Sequence, residues 1–120
     1  MNAINWFEIF VTDLNRARAF YEQALDTHLE LVEGAGSPMA IFAHDPSGGV
    51  GGSLTVADTH TGQGNLRVYL NVEGKLDAVV ARVPAAGGKV LQPKTSIAPN
   101  GFIALMEDCE GNVVGLHSLS

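Results

Sequence analysis

Between Ile4 and Leu25 the spacing of apolar residues changes once. Up to Val11 the side chains alternate: Phe7, Ile9 and Val11 fall on one face of a predicted strand, and Trp6, Glu8 and Phe10 on the other, because successive side chains flip across a strand. From Leu14 onward, Leu14, Ala17, Phe20, Tyr21, Ala24 and Leu25 recur at the spacing of an amphipathic helix. Thr12 and Asp13 stand before it as N-cap residues. The helix is expected to cover the all-apolar strand face. Glu8 is thereby left on the far face of the sheet between two aromatic residues, where a carboxylate needs solvent, a partner or a ligand.

The rest of the chain repeats this plan. Thr27–Glu33 and Met39–His44 read as strands with a turn over Gly34–Pro38 between them, Asp45-Pro46-Ser47-Gly48-Gly49 is a strong turn signal, and Gly51–Ala57 resumes extended structure. Asp58–Asn65 is polar and glycine-rich, the best candidate linker. Leu66–Val72 then alternates like the opening strand, with Arg67, Tyr69 and Asn71 opposite Val68, Leu70 and Val72. Leu76, Val79, Val80 and Val83 mark a second helix that Gly87-Gly88 stops, and Pro84 predicts a kink or an early finish. Lys89–Leu91, Phe102–Glu107 and Val113–His117 complete the order as strands.

Val11 corresponds to Val72, while Asp45, Gly48 and Gly52 correspond to Asp108, Gly111 and Gly115. Such internal repetition is a fold-level signal. The reading is one α+β domain of two tandem βαβββ modules: module one 1–58, linker 59–64, module two 65–120. Curved mixed sheets with helices on their outer faces would form a shared cup.

Composition narrows the function. A net charge of -6 from 13 acidic and 7 basic residues argues against nucleic acid, which requires a basic footprint. No apolar run reaches the roughly 18 residues of a membrane span, and Asp13 interrupts the apolar start, so no membrane partner and a cytoplasmic location are expected. Cys109 is the single cysteine; between Asp108 and Glu110 its thiolate is disfavoured, which suits a turn residue better than a nucleophile.

Val11-Thr12-Asp13-Leu14, Arg16-Ala17, Phe20-Tyr21, the run Ala85-Ala86-Gly87-Gly88-Lys89-Val90, and Asp108-Cys109-Glu110-Gly111-Asn112 leading into Gly115-Leu116-His117 together resemble the vicinal oxygen chelate superfamily, the glyoxalase, bleomycin-resistance and extradiol dioxygenase fold. The resemblance implies a homodimer and a small-molecule ligand, bound as in a lyase, isomerase or oxygenase or sequestered without turnover as in a drug-binding, bleomycin-resistance-like protein. In metal-dependent members it implies ligands on the first and last strand of each module. Those positions fall here at Trp6, at Gly52 or Ser53, at Arg67 and at Gly115, of which only Ser53 is even a weak ligand. A divalent metal would have to sit one step along the strands, with Glu8 and His117 as weak candidates.

Alternation places Trp6, Glu8 and Phe10, then Arg67, Tyr69 and Asn71, then Val113, Gly115 and His117 toward the cup. The fourth strand offers either Leu54 or the pair Ser53 and Thr55. Glu8, His117 and Tyr69 are the candidate catalytic residues: as metal ligands, or as an acid/base set in an apolar cup that moves Glu and His toward neutrality. Glu8 could instead pair with Arg67 or His117 as a hydrogen-bonded cluster without a reaction. Trp6, Phe10, Arg67, Asn71, Ser53 and Thr55 are candidate substrate contacts, Arg67 as a fork for a carboxylate or phosphate. His28, His44 and His60 read as solvated residues, although His60 could reach the cup rim if the linker folds over it.

Overall fold

The computed structural model describes residues 3–34, 37–56, 64 and 66–120. Its elements run β1 (Trp6–Val11), α1 (Leu14–Leu25), β2 (Glu30–Gly34), β3 (Ser37–Ile41), β4 (Gly51–Val56), β5 (Tyr69–Asn71), α2 (Leu76–Ala86), β6 (Lys89–Ser96), β7 (Phe102–Glu107) and β8 (Val113–Ser118). Two four-stranded mixed sheets result, ordered β1-β4-β3-β2 and β5-β8-β7-β6. In each, the first and last strands of the module lie parallel side by side and the other pairs are antiparallel. The α+β, paired βαβββ architecture expected from the repeat is the one observed, with the two sheets not closed on each other. The expected linker over Asp58–Asn65 falls almost wholly outside the described residues, as does His60.

β1, β5 and β8 bury the face that their alternation assigned to the helices. Ile9, Val11 and Leu54 from the first sheet and Leu70, Val114 and Leu116 from the second meet Leu14, Ala17, Phe20, Tyr21, Val79 and Val83 in one core. That settles the phase of β4: Leu54 is core, and Ser53 and Thr55 belong to the other face. Asp13 caps α1 as expected, accepting from the Arg16 N–H at 3.0 Å.

Four strands, β2, β3, β5 and β6, differ most from the sequence reading. β2 starts at Glu30 rather than Thr27 because the preceding backbone bonds to α1 instead: Thr27 N–H donates to the Glu22 carbonyl, and Leu29 N–H to the Glu22 carboxylate. β3 lies earlier, at Ser37–Ile41, where it pairs as a hairpin with β2. β5 is shortened to Tyr69–Asn71, although ladder bonds reach Val68 and Val72 on either side. β6 is longer than Lys89–Leu91 and runs through Pro93 to Ser96, with register shifts around Gln92 and Thr95 that accommodate a residue with no N–H to donate. In α2 the helix continues past Pro84 to Ala86; Gly87, at φ 110, ends it by donating to the Pro84 carbonyl, and Gly88 N–H bonds to the Val83 carbonyl.

No helix among the described residues is long and apolar enough to cross a membrane. The modules are joined by α1 packing on α2 and by the β7–β8 turn, whose Glu110 carboxylate accepts from Thr12 N–H (3.0 Å), Thr12 Oγ1 (2.8 Å), Asp13 N–H (3.0 Å) and Arg16 Nη2 (2.6 Å).

Candidate functional site

The face of the first sheet turned away from α1 carries the feature that made Glu8 conspicuous. Parallel pairing sets Trp6 beside Gly51, Glu8 beside Ser53 and Phe10 beside Thr55. Thr55 Oγ1 donates to Glu8 Oε2 at 3.3 Å, and Ser53 Oγ lies 2.8 Å from Thr55 Oγ1. A hydroxyl has one hydrogen to give; with that of Thr55 directed to Glu8, Ser53 donates to Thr55, and a short relay runs from a fully buried serine to an exposed carboxylate. Trp6 and Phe10 flank it, 39% and 46% exposed. Five of the sequence-predicted residues, Trp6, Glu8, Phe10, Ser53 and Thr55, are therefore brought together.

His44 joins them, a role its sequence position did not reveal. Its Nδ1 lies 3.0 Å from the Phe42 carbonyl. Since a carbonyl only accepts, Nδ1 carries the hydrogen, and Nε2 of the neutral ring is left as an acceptor. The ring meets Trp6 edge-on with centroids 6.0 Å apart and lies over Gly51, where a Cβ would collide with it. His44 follows β3 in a loop, so strand alternation gives no hint of this contact; only the shape of the turn brings it back. His28, by contrast, remains an exposed residue, with Nδ1 3.1 Å from the Glu22 carboxylate.

The remaining candidates lie elsewhere. Tyr69 and Asn71 pair with Gly115 and His117 across β5 and β8, on the open face of the second sheet. Tyr69 is 46% exposed, and its ring covers Gly115 so closely that no Cβ fits there. Asn71 Oδ1 accepts from Glu73 N–H. His117 Nε2 lies 2.8 Å from the Asn100 carbonyl, which again makes it the donor and leaves Nδ1 as the acceptor of the neutral ring. Neither His117 nor Arg67 forms an ion pair with Glu8. Arg67, Tyr69 and Asn71 line a cleft of about 570 Å³ between the modules.

The arrangement does not suit a divalent metal at the positions implied by the family. Trp6 offers no ligand atom, Arg67 is a cation, Gly115 lies under an aromatic ring, and the Ser53 hydroxyl is engaged with Thr55. Among the described residues no three His, Cys, Asp or Glu side chains converge, whereas protein metal sites take three or four such ligands.

The marked electrostatic shifts fall in the joint between modules. Burial would raise the Glu110 carboxyl, but its donors on Thr12, Asp13 and Arg16 outweigh that and bring it down to about 2. Burial, reinforced by the Asp108 carboxylate 2.7 Å away, pushes the Tyr21 phenol well above its ordinary range. Cys109 is likewise pushed up, by burial and by Asp108, as befits a turn residue rather than a nucleophile.

Two unclosed βαβββ sheets, each with a covered face and an open one, define a class of fold before they define any reaction. The chain belongs to the Glyoxalase/Bleomycin resistance protein/Dioxygenase superfamily, whose model matches residues 3–116. Among solved structures it is similar to a glyoxalase/bleomycin resistance protein from Albidiferax ferrireducens T118, with 18% identity, 98% of both chains covered and a TM-score of 0.74. It is also similar to hypothetical protein SA1046 from S. aureus, with 22% identity, 98% of this chain and 94% of that one covered and a TM-score of 0.69. The genomically encoded fosfomycin resistance protein FosX from Listeria monocytogenes matches at 16% identity, with 98% and 91% covered and a TM-score of 0.68. At these identities the likeness is one of fold. No sequence among the curated proteins matches.

Proposed function

We propose that this glyoxalase-like protein binds a small organic molecule against the open face of its first sheet and that Glu8 moves a proton on it, as the opening step of an isomerase or lyase. The observation that carries the reading is the Ser53–Thr55–Glu8 relay. A carboxylate oriented by a hydroxyl, between Trp6 and Phe10, has the form of a general base with apolar surface for a substrate body, and His44 packs on Trp6 at its edge. The Thr55 hydroxyl restrains the carboxylate; on protonation Glu8 becomes the donor that can return the hydrogen to a neighbouring atom. Exposed Trp6, Phe10 and Tyr69 would be covered in a homodimer whose two chains complete a cup between them.

The test is hydrogen–deuterium exchange at carbon in a panel of small α-hydroxy and α-keto carbonyl compounds, followed by NMR in D₂O. The wild-type protein should exchange at least one of them, and Glu8→Gln should slow that exchange about 100-fold or more while the compound still binds. Equal exchange by both proteins would show that Glu8 is not the base.

A second reading is supported by the same aromatics. Trp6 and Phe10 on either side of a carboxylate suit a cationic aromatic molecule, held without turnover as in a drug-sequestering protein. Tight binding of such a compound, weakened by Glu8→Gln and accompanied by no exchange in the panel, would establish that alternative.

A further inference from the structure

The cleft between the modules stands apart from the sheet face that carries Glu8. One wall is the start of β4 with Val50, Phe7 and Phe42; the other is β5 and the first turn of α2, with Val72 and Val79. Its volume of about 570 Å³ is in the range of small-molecule sites. The chain carries 7 basic residues against 13 acidic ones, and most of the basic ones are engaged. Arg16 pairs with Glu110, Arg18 with Glu22, and Lys94 with Asp77, while Arg82 donates to the Ala24 carbonyl. Among the described residues only Arg67, Lys75 and Lys89 have no such partner, and Arg67 and Lys75 both line this cleft. Asp26 is the one carboxylate in the lining, leaving the charge there net positive on an acidic protein.

We infer that the inter-module cleft is a second binding site, for a small organic anion with an apolar body: a carboxylate, sulfonate or phosphate set against Arg67 and Lys75, and its hydrocarbon or aromatic part against Phe7, Phe42 and Val79. Arg67 supplies a planar fork for two oxygens and Lys75 a point charge. The site is independent of proton transfer by Glu8, so either can stand without the other.

The probe is 8-anilinonaphthalene-1-sulfonate, an aromatic body with one sulfonate, compared with the uncharged N-phenyl-1-naphthylamine. Calorimetric and fluorescence titration of the wild-type protein should give one saturable sulfonate site per chain. Arg67→Gln combined with Lys75→Gln, both at exposed positions, should weaken the sulfonate about tenfold or more, as loss of charge-assisted contacts does, and leave the uncharged probe unchanged. Asp26→Asn should tighten the sulfonate. The proposal is overturned if the wild type shows no saturable site, if the double variant binds the sulfonate as well as the wild type, or if binding instead disappears in Trp6→Ala, which would put the probe on the sheet face.

Discussion

The two modules share an order of elements but not a way of using their last turn. In module two, Asp108–Asn112 reaches across to module one. Asp108 is 4% exposed and accepts from Tyr21 Oη, Glu110 N–H, Asn112 N–H and Asn112 Nδ2, while Glu110 grips the start of α1. The counterpart turn of module one, Asp45–Gly49, is exposed, and Asp45 binds only its own neighbours Ser47, Gly48 and Gly49. The start of α2 is correspondingly bare of a foreign carboxylate: its N-cap is Lys75, without a side-chain cap, and the cleft opens beside it. A duplicated sequence has thus made one tight joint and one gap, and the gap is where a ligand can enter.

The largest test of this asymmetry compares the two aspartates. Asp108→Ala removes a buried acceptor from four donors and should destabilise the protein by about 4 kcal/mol in denaturant unfolding. Asp45→Ala, in an exposed turn, should cost about 1 kcal/mol or less. Similar losses at both would mean that the first turn is docked in solution after all.

Next in size is the lock itself. The Glu110 side chain is 2% exposed, and its partner Arg16 is 55% exposed, so the carboxylate matters more than the guanidinium. Glu110→Ala should cost about 3 kcal/mol by leaving the Thr12 and Asp13 donors and a cation without it; Arg16→Ala, at the solvent side of the pair, should cost about 1 kcal/mol or less. Ser47→Ala, at the matching position of module one, should be close to neutral. The pH dependence has a definite sign. The Glu110 carboxyl is lowered from 4.5 to about 2, so its contribution is fully present above pH 4.5 and is lost as pH falls toward 2. Wild-type stability should therefore drop more steeply than that of Glu110→Gln between those values. Parallel curves would mean that Glu110 is not held as a carboxylate by these donors.

What the sequence disclosed follows the same division. Period-two and period-3.6 patterns showed the faces of β1, β5 and β8 and both helices, because burial against a neighbouring layer writes itself into every second or third residue. Phe7, Ile9 and Val11 against Trp6, Glu8 and Phe10 is the clearest instance. The relay from Ser53 through Thr55 to Glu8 could be approached only as far as a choice of phase, since parallel register depends on the paired strand. His44 beside Trp6, Asp108 beneath Tyr21 and Glu110 on α1 carried no local signal. They are contacts between loops and distant elements, fixed by the shape of a turn in the first case and by how the two modules dock in the other two, rather than by any periodicity.

The smallest expected difference concerns two glycines, one on the last strand of each module. Gly52 and Gly115 each lie under an aromatic ring, Phe7 in one module and Tyr69 in the other, and a Cβ at either would collide with it. The rings are not equally free to yield. Phe7 is half-buried and packs on Phe42 with centroids 5.6 Å apart, whereas Tyr69 is 46% exposed and can swing toward solvent. Gly52→Ala should therefore cost about 2 kcal/mol through overpacking, and Gly115→Ala about 1 kcal/mol or less, in the same unfolding assay. An equal cost would show that Tyr69 is held as firmly as Phe7. The open face of module two would then be as fixed as the core side of module one, with Tyr69 a rigid wall for any ligand rather than a movable one.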